Sequence, residues 1–198
     1  MDLNSFYRAA QSNAEGEKLP PVHLWNPENC GDIEIRIDRD GKWFHEGTRI
    51  GRQALVNLFS SILKREGEEH FLVTPQEKCR IQVDVAPLLV IGWELRNEGG
   101  PDQSILFETE QGAQVPLDKQ HPLQLIHVDG EDYPVIDVRN SLQAIISRNV
   151  YYQLAHLIEE FDAQMLDATD NVFGDTPPAN FLGIRSEGIV FPLISQHS

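Results

Sequence analysis

Ile33-Glu34-Ile35-Arg36-Ile37-Asp38-Arg39-Asp40-Gly41-Lys42-Trp43-Phe44-His45 is the stretch that decides the fold of this chain. Isoleucine alternates with charged residues through Ile37, the period of a strand with one buried face. Asp40-Gly41 then supplies a hairpin signal between alternating runs, because both central positions of a tight hairpin turn favour positive φ. From Gly51 the period changes. Leu55, Leu58, Phe59, Ile62 and Leu63 recur at helical spacing, and Gly67 is placed to end the helix. A weaker echo follows later in the chain. Leu125, Ile126 and Val128 lead to Asp129-Gly130, then to Val135-Ile136-Asp137-Val138, then to the helix-like positions Leu142, Ile145 and Ile146.

Outward from these two segments the chain reads as strands with short links. Phe71-Leu72-Val73 and residues 80–85, 88–95, 104–109 and 113–117 alternate or run apolar, separated by Pro75, Pro87 and turn-forming residues. Such links leave no room for crossover helices, which predicts mainly antiparallel sheets. A second helix is expected from the stripe Val150, Leu154, Leu157, Ile158 and Phe161. Leu3, Phe6, Tyr7 and Ala10 share a helical face and predict a short N-terminal helix. The fold class expected is α+β, with two related hairpin-plus-helix motifs. The expected division is residues 1–23 as helix and linker, 24–86 and 87–161 as two α+β parts, and 162–198 as a C-terminal extension.

At 198 residues the chain can bury a core without staples. Its formal charge of -15 repels phosphate backbones and anionic lipid, so neither nucleic acid nor a membrane surface is an expected partner. The charge is uneven. Residues 32–66 hold seven Lys/Arg against six Asp/Glu, which leaves about -16 on the remainder. Cys30 and Cys79 lie in no CxxC; two buried thiols in a reducing compartment is the stronger reading, and a single disulfide between them is the alternative. Residues 1–14 lack the apolar run of a signal peptide, which predicts a cytoplasmic location.

The basic cluster Arg36, Arg39, Lys42, Arg49 and Arg52 is the candidate site. Arg49 and Arg52 flank a helix start, where free backbone N–H groups favour an anion, so a carboxylate or phosphate suits this position. The plainer reading, which carries more weight, pairs these cations with Glu34, Asp38, Asp40 and Glu46 on a solvated surface. Trp43, beside Lys42, is a candidate stacking platform or partner contact, against the commoner role of covering a sheet edge. The ligand-binding residues expected are therefore Arg36, Lys42, Trp43, Arg49 and Arg52. No HExxH, GxSxG or phosphate-cradling Gly-rich loop occurs, so no cofactor, metal or catalytic residue is assigned. Cys30 with His45 is the one nucleophile–base pairing on offer. Cys30 as a small buried hydrophobe is the stronger reading.

Three runs carry a family resemblance: Trp25-Asn26-Pro27-Glu28-Asn29-Cys30-Gly31-Asp32, Asp40-Gly41-Lys42-Trp43-Phe44-His45-Glu46-Gly47 and Ile50-Gly51-Arg52-Gln53-Ala54-Leu55-Val56. With Phe71-Leu72-Val73-Thr74-Pro75-Gln76-Glu77-Lys78 and Val150-Tyr151-Tyr152-Gln153-Leu154, the chain resembles an uncharacterised bacterial family known only as a domain of unknown function. The likeness spans residues 24–161. It implies a two-part α+β architecture with related motifs in both parts, and it brings no activity, cofactor or catalytic residue.

The functional expectation is a non-enzymatic ligand-sensing or signalling module for a small anionic ligand. A protein-interaction scaffold with a protein partner is the alternative, and an unrecognised hydrolase comes third. The scaffold reading requires Trp43, Phe44, Phe191 and Leu193 to form one exposed patch. Val190, Phe191 and Leu193 are expected to dock, either on this molecule or on a neighbour's sheet edge, the latter giving a homodimer.

Overall fold

The computed structural model describes residues 19–100, 102–162, 180–193 and 195–196. The predicted N-terminal helix and most of the acidic stretch after Phe161 lie outside the described residues. Two units are present. The first ends at Leu88 and is joined by Arg139–Leu142; the second comprises Leu89–Val138 and the chain from Gln143.

The first unit is built on six strands: β1 (Asn29–Ile37), β2 (Trp43–His45), β3 (Thr48–Arg49), β4 (Leu63–Glu66), β5 (Glu69–Val73) and β6 (Lys78–Val83), with α1 (Gln53–Ser61) between β3 and β4. Their order across the sheet is β3-β2-β1-β6-β5-β4. Alternation in β1 does what its period demands: Ile33, Ile35 and Ile37 are buried while Asp32, Glu34 and Arg36 face out. The buried set continues through Trp43, Val56, Phe59, Ile62, Leu63, Leu72, Cys79 and Ile81, and the Trp43 ring stacks on Phe59 at 6.3 Å. Each large side chain so buried contributes roughly 1.5–3 kcal/mol. On the other side of β5, Phe71 and Val73 are covered by Val22 and Trp25 from a 3-10 turn, Val22–Leu24.

The second unit continues with β7 (Leu88–Arg96), β8 (Ser104–Thr109), β9 (Gln114–Pro116), β10 (Leu123–Val128), β11 (Glu131–Arg139), β12 (Leu142–Ile146) and α2 (Arg148–Leu154). It closes with β13 (Ile158–Asp162), β14 (Asn180–Ser186), β15 (Ile189–Pro192) and β16 (Ser195–Gln196). One sheet has the order β16-β10-β11-β12-β7-β8-β9, and β13-β14-β15 form another. Val190 joins Phe161 and Phe181 in a small core of that last sheet. The Ile189–Pro192 strand thus docks on β14 of its own chain, and Pro192 lies on an edge strand as its missing N–H requires.

The architecture is α+β, dominated by strands, and its sheets are mixed. Pairings β1–β6 and β10–β16 are parallel, while the other described registers are antiparallel. The link-length argument holds for consecutive strands only. β1 meets β6 after residues 38–77 have supplied β2 to β5 and α1, a crossover that no single short link reveals.

Three local expectations are corrected. Residues 63–66 form β4 rather than the end of α1, and Gly67, at φ +62, turns the β4–β5 hairpin instead of capping a helix. Leu142, Ile145 and Ile146 lie in β12, so the second motif is β10–β11–β12 followed by a helix of Arg148–Leu154 only. Ile158 and Phe161, placed on that helix by spacing, belong to β13. The hairpin turns also differ. Asp129 and Gly130 both have positive φ, whereas Gly41 alone does in the β1–β2 turn, where Arg39 and Asp40 make a type I turn closed by Gly41 N–H donating to Asp38 O at 2.9 Å.

Candidate functional site

β1, β2 and β3 lie side by side in antiparallel register, which places Arg36, Phe44 and Arg49 in one row on the outward face. Gln82 of β6 extends the row beyond Arg36. After Arg49 the chain passes Ile50, whose N–H donates to Trp43 O at 2.8 Å, and enters α1 through Gly51 and the N-cap residue Arg52. The structure therefore puts Arg36 and Arg49 in one row across β1, β2 and β3, with Arg52 at the start of the helix that follows β3.

Their electrostatic situations differ. Arg36 is spent on Asp84: Nε donates to Oδ1 at 2.9 Å and Nη2 to Oδ2 at 2.5 Å, a bidentate pair that raises the arginine's pKa further. Lys42 Nζ pairs with Asp40 Oδ2 at 2.9 Å, and its backbone N–H is fixed by Asp38 Oδ1 at the same distance. Arg80, which no sequence signal singled out, donates to both carboxylate oxygens of Asp32 (2.8 and 3.0 Å) and to Glu69 Oε1. These contacts hold the Asp32 carboxyl below the usual range. Lys64 and Lys78 share Glu66, and Arg65 binds Glu68. By contrast, the side chains of Arg49 and Arg52 are exposed and have no partner among the described residues.

The start of α1 matches those two arginines. Arg52 makes no side-chain cap, and the first turn carries no acidic residue. The N–H groups of Leu55 and Val56 donate to Arg52 O, while those of Gln53 and Ala54 are the open donors that begin any helix. Among the described residues nothing lies within 4 Å of where a Cβ on Gly51 would stand.

Trp43 is not part of this surface. It is 2% exposed and packed on Phe59, so its face is unavailable to a ligand, and its Nε1 has no hydrogen-bond partner among the described residues. Alternation puts one of Trp43 and Phe44 inward, and it is the larger ring that goes. The Cys30 side chain lies outside the described residues. Among the described residues no group of three or more His, Cys, Asp or Glu is arranged to hold a metal ion. No helix among them is long and apolar enough to cross a membrane.

An open groove of about 580 Å³ also lies on the outward face, lined by Asp32, Glu34, Arg36, Glu46, Arg80 and Gln82. Arg36 alone of its charged residues was reached from sequence. Asp32, Glu34 and Glu46 lie close to Arg36 in the chain, whereas Arg80 and Gln82 arrive through the β1–β6 pairing, whose partners are far apart.

Residues 20–86 match the model of the domain of unknown function DUF1285, N-terminal domain, and residues 87–193 that of the DUF1285 C-terminal domain. Among solved structures the chain is similar to a DUF1285 family protein from Silicibacter pomeroyi, at 37% identity and a TM-score of 0.78, covering 96% of this chain and 94% of that one. It is also similar to a DUF1285 family protein from Shewanella baltica, at 28% identity and a TM-score of 0.49, covering 63% of this chain and 91% of that one. No curated protein matches it. With both family domains matched in order along the chain, this protein belongs to the DUF1285 family.

Proposed function

We propose that this protein is a non-enzymatic ligand-sensing or signalling module whose first unit binds a small anion, of the phosphate or carboxylate class, at Arg49, Arg52 and the first turn of α1. One contrast carries the reading. The neighbouring cations Arg36, Lys42, Lys64, Arg65, Lys78 and Arg80 are all engaged by carboxylates, whereas Arg49 and Arg52 have no partner among the described residues. Arg52 is the N-cap residue, beside the open backbone N–H groups and the positive end of the helix dipole, and Arg49 precedes it by three residues. On a chain of charge -15 this local excess of positive charge survives because salt screens more distant carboxylates beyond about 8 Å. Lys42 and Arg36 support the site only through the fields of their pairs, and Trp43 supports it by anchoring β2 rather than by stacking.

The scaffold alternative required an apolar patch containing Trp43, Phe44, Phe191 and Leu193. Trp43 and Phe191 are buried, and Phe44 and Leu193 half-buried, so no observation favours it.

The test is a thermal-shift series with phosphate, pyrophosphate, citrate and a nucleotide, at constant ionic strength. At least one anion is expected to raise the melting temperature of the wild type, and Arg52→Ala is expected to abolish most of the rise. Each charge-assisted hydrogen bond lost removes about 1.5–3 kcal/mol of binding. Equal stabilisation of wild type and Arg52→Ala, or none by any anion, removes the proposal.

A further inference from the structure

We propose that Arg139 is a positioning residue for the anion site: it clamps the last turn of α1, the helix whose first turn binds the anion, so that the two ends are coupled. This role rests on anion binding at Arg49, Arg52 and the first turn of α1. Every α-helix ends with carbonyls that have no partner inside the helix. In α1 they are taken up in turn: Leu58 O accepts from Ser61 Oγ at 2.7 Å, Phe59 O from the Ile62 N–H at 3.2 Å, and Ser60 O from Arg139 Nη2 at 2.9 Å. The last turn has no basic residue of its own, so Arg139 brings a cation to the negative end of the helix dipole. Arg139 is half-buried, has no carboxylate partner among the described residues, and burial pushes its pKa down. A guanidinium withdrawn from water without a counter-ion is costly unless a dipole receives it. The carbonyl that receives this one belongs to a buried residue, Ser60.

Arg139 is also fixed from its own side. It ends β11, and the fully buried Leu142 begins β12. Asn140 and Ser141 between them have φ +47 and +62, the left-handed pair that a two-residue hairpin turn requires. Arg65 Nη1 donates to Ser141 O at 3.4 Å. Arg139–Leu142 thus belongs to the first unit, although it lies within residues 87–193 of the C-terminal family domain. The other end of α1 has less to hold it. Val56, Phe59 and Ser60 are buried, whereas Arg52, Gln53 and Ala54 are exposed. A helix of nine residues is about 14 Å long, and one so short depends on contacts at its ends to stay ordered. An anion at the first turn and Arg139 at the last favour the same helical state. Each therefore strengthens the other, and the coupling is reciprocal.

A phosphate titration of the full chain at fixed ionic strength, followed on amide and arginine side-chain NMR signals, tests this role. In wild type, saturable shifts at Gly51, Gln53 and Ala54 should be accompanied, at the same midpoint, by shifts of the Ser60 amide and the Arg139 Nε–H. Arg139→Gln is expected to weaken phosphate binding threefold or more, and Arg139→Lys, which keeps the cation, to restore it to within twofold. Arg148→Gln, which removes the same charge from an exposed position at the start of α2, is expected to bind as wild type does. Wild-type shifts confined to the first turn overturn the coupling and leave the anion site standing, as does an Arg139→Gln affinity equal to that of wild type. Equal losses in Arg139→Gln and Arg148→Gln mean a general effect of net charge, and no recovery in Arg139→Lys means lost packing; either result also overturns it. The wild-type signals decide the matter even where Arg139→Gln does not fold. No saturable shift at Gly51, Gln53 and Ala54 in wild type removes the anion site itself, and the role of Arg139 with it.

Discussion

Trp43 shows how a single residue is misjudged when its neighbours in sequence are charged. Set beside Lys42 just past a turn, it invites a surface role, yet its ring fills the core against Phe59. Alternation limits the choice to Trp43 or Phe44 without picking between them; the volume above β2, set by α1, picks. Trp43→Ala is expected to cost about 3–5 kcal/mol in urea unfolding, whereas Lys42→Ala, which breaks only an exposed pair, is expected to stay within about 1 kcal/mol. His70 gives a second prediction. Burial above all, with the Arg65 charge next, pushes its pKa down to about 4 against some opposing help from Glu68. The unfolded chain therefore binds this proton more readily than the folded one between about 6.5 and 4, so stability falls as pH falls through that window. Melting curves from pH 7 to pH 4.5 should drop less steeply for His70→Gln than for wild type. Parallel slopes would show that His70 does not titrate in this way.

Among the elements, those fixed by local period were legible and those fixed by distant pairing were not. The isoleucines of β1 and the turn at Asp129-Gly130 are visible in a short window. The end of α1 is not, since Ile62 and Leu63 satisfy a helical stripe and a strand equally well until β5 is there to pair with β4. The same ambiguity holds for Ile158 and Phe161, which continue a helical stripe by spacing yet pair with β14. Gly183 marks a close approach no pattern discloses. A Cβ there would stand 3.0 Å from Phe191 O, 3.1 Å from Val190 Cγ1 and 3.2 Å from a Phe181 ring carbon. Gly183→Ala is therefore expected to overpack the β14–β15 pairing and cost about 1–3 kcal/mol. Hydrogen exchange should localise the loss to β13–β15, and unchanged protection there would contradict this reading.

For the molecule as a whole, the uneven charge was the most useful sequence signal, since it pointed to the segment that holds Arg36, Arg49 and Arg52. It did not say which cations are free, because Asp84, Asp32 and Glu69 reach their arginines across β1–β6 and β5–β6 pairings that composition does not record. The account rests on two arginines left without carboxylate partners at the start of α1. The most direct check is an amide chemical-shift titration of the whole protein with phosphate at fixed ionic strength. Saturable shifts centred on Gly51, Gln53 and Ala54, lost in Arg52→Ala, are predicted. Shifts that scatter without saturation, or that leave those three amides unmoved, would contradict it.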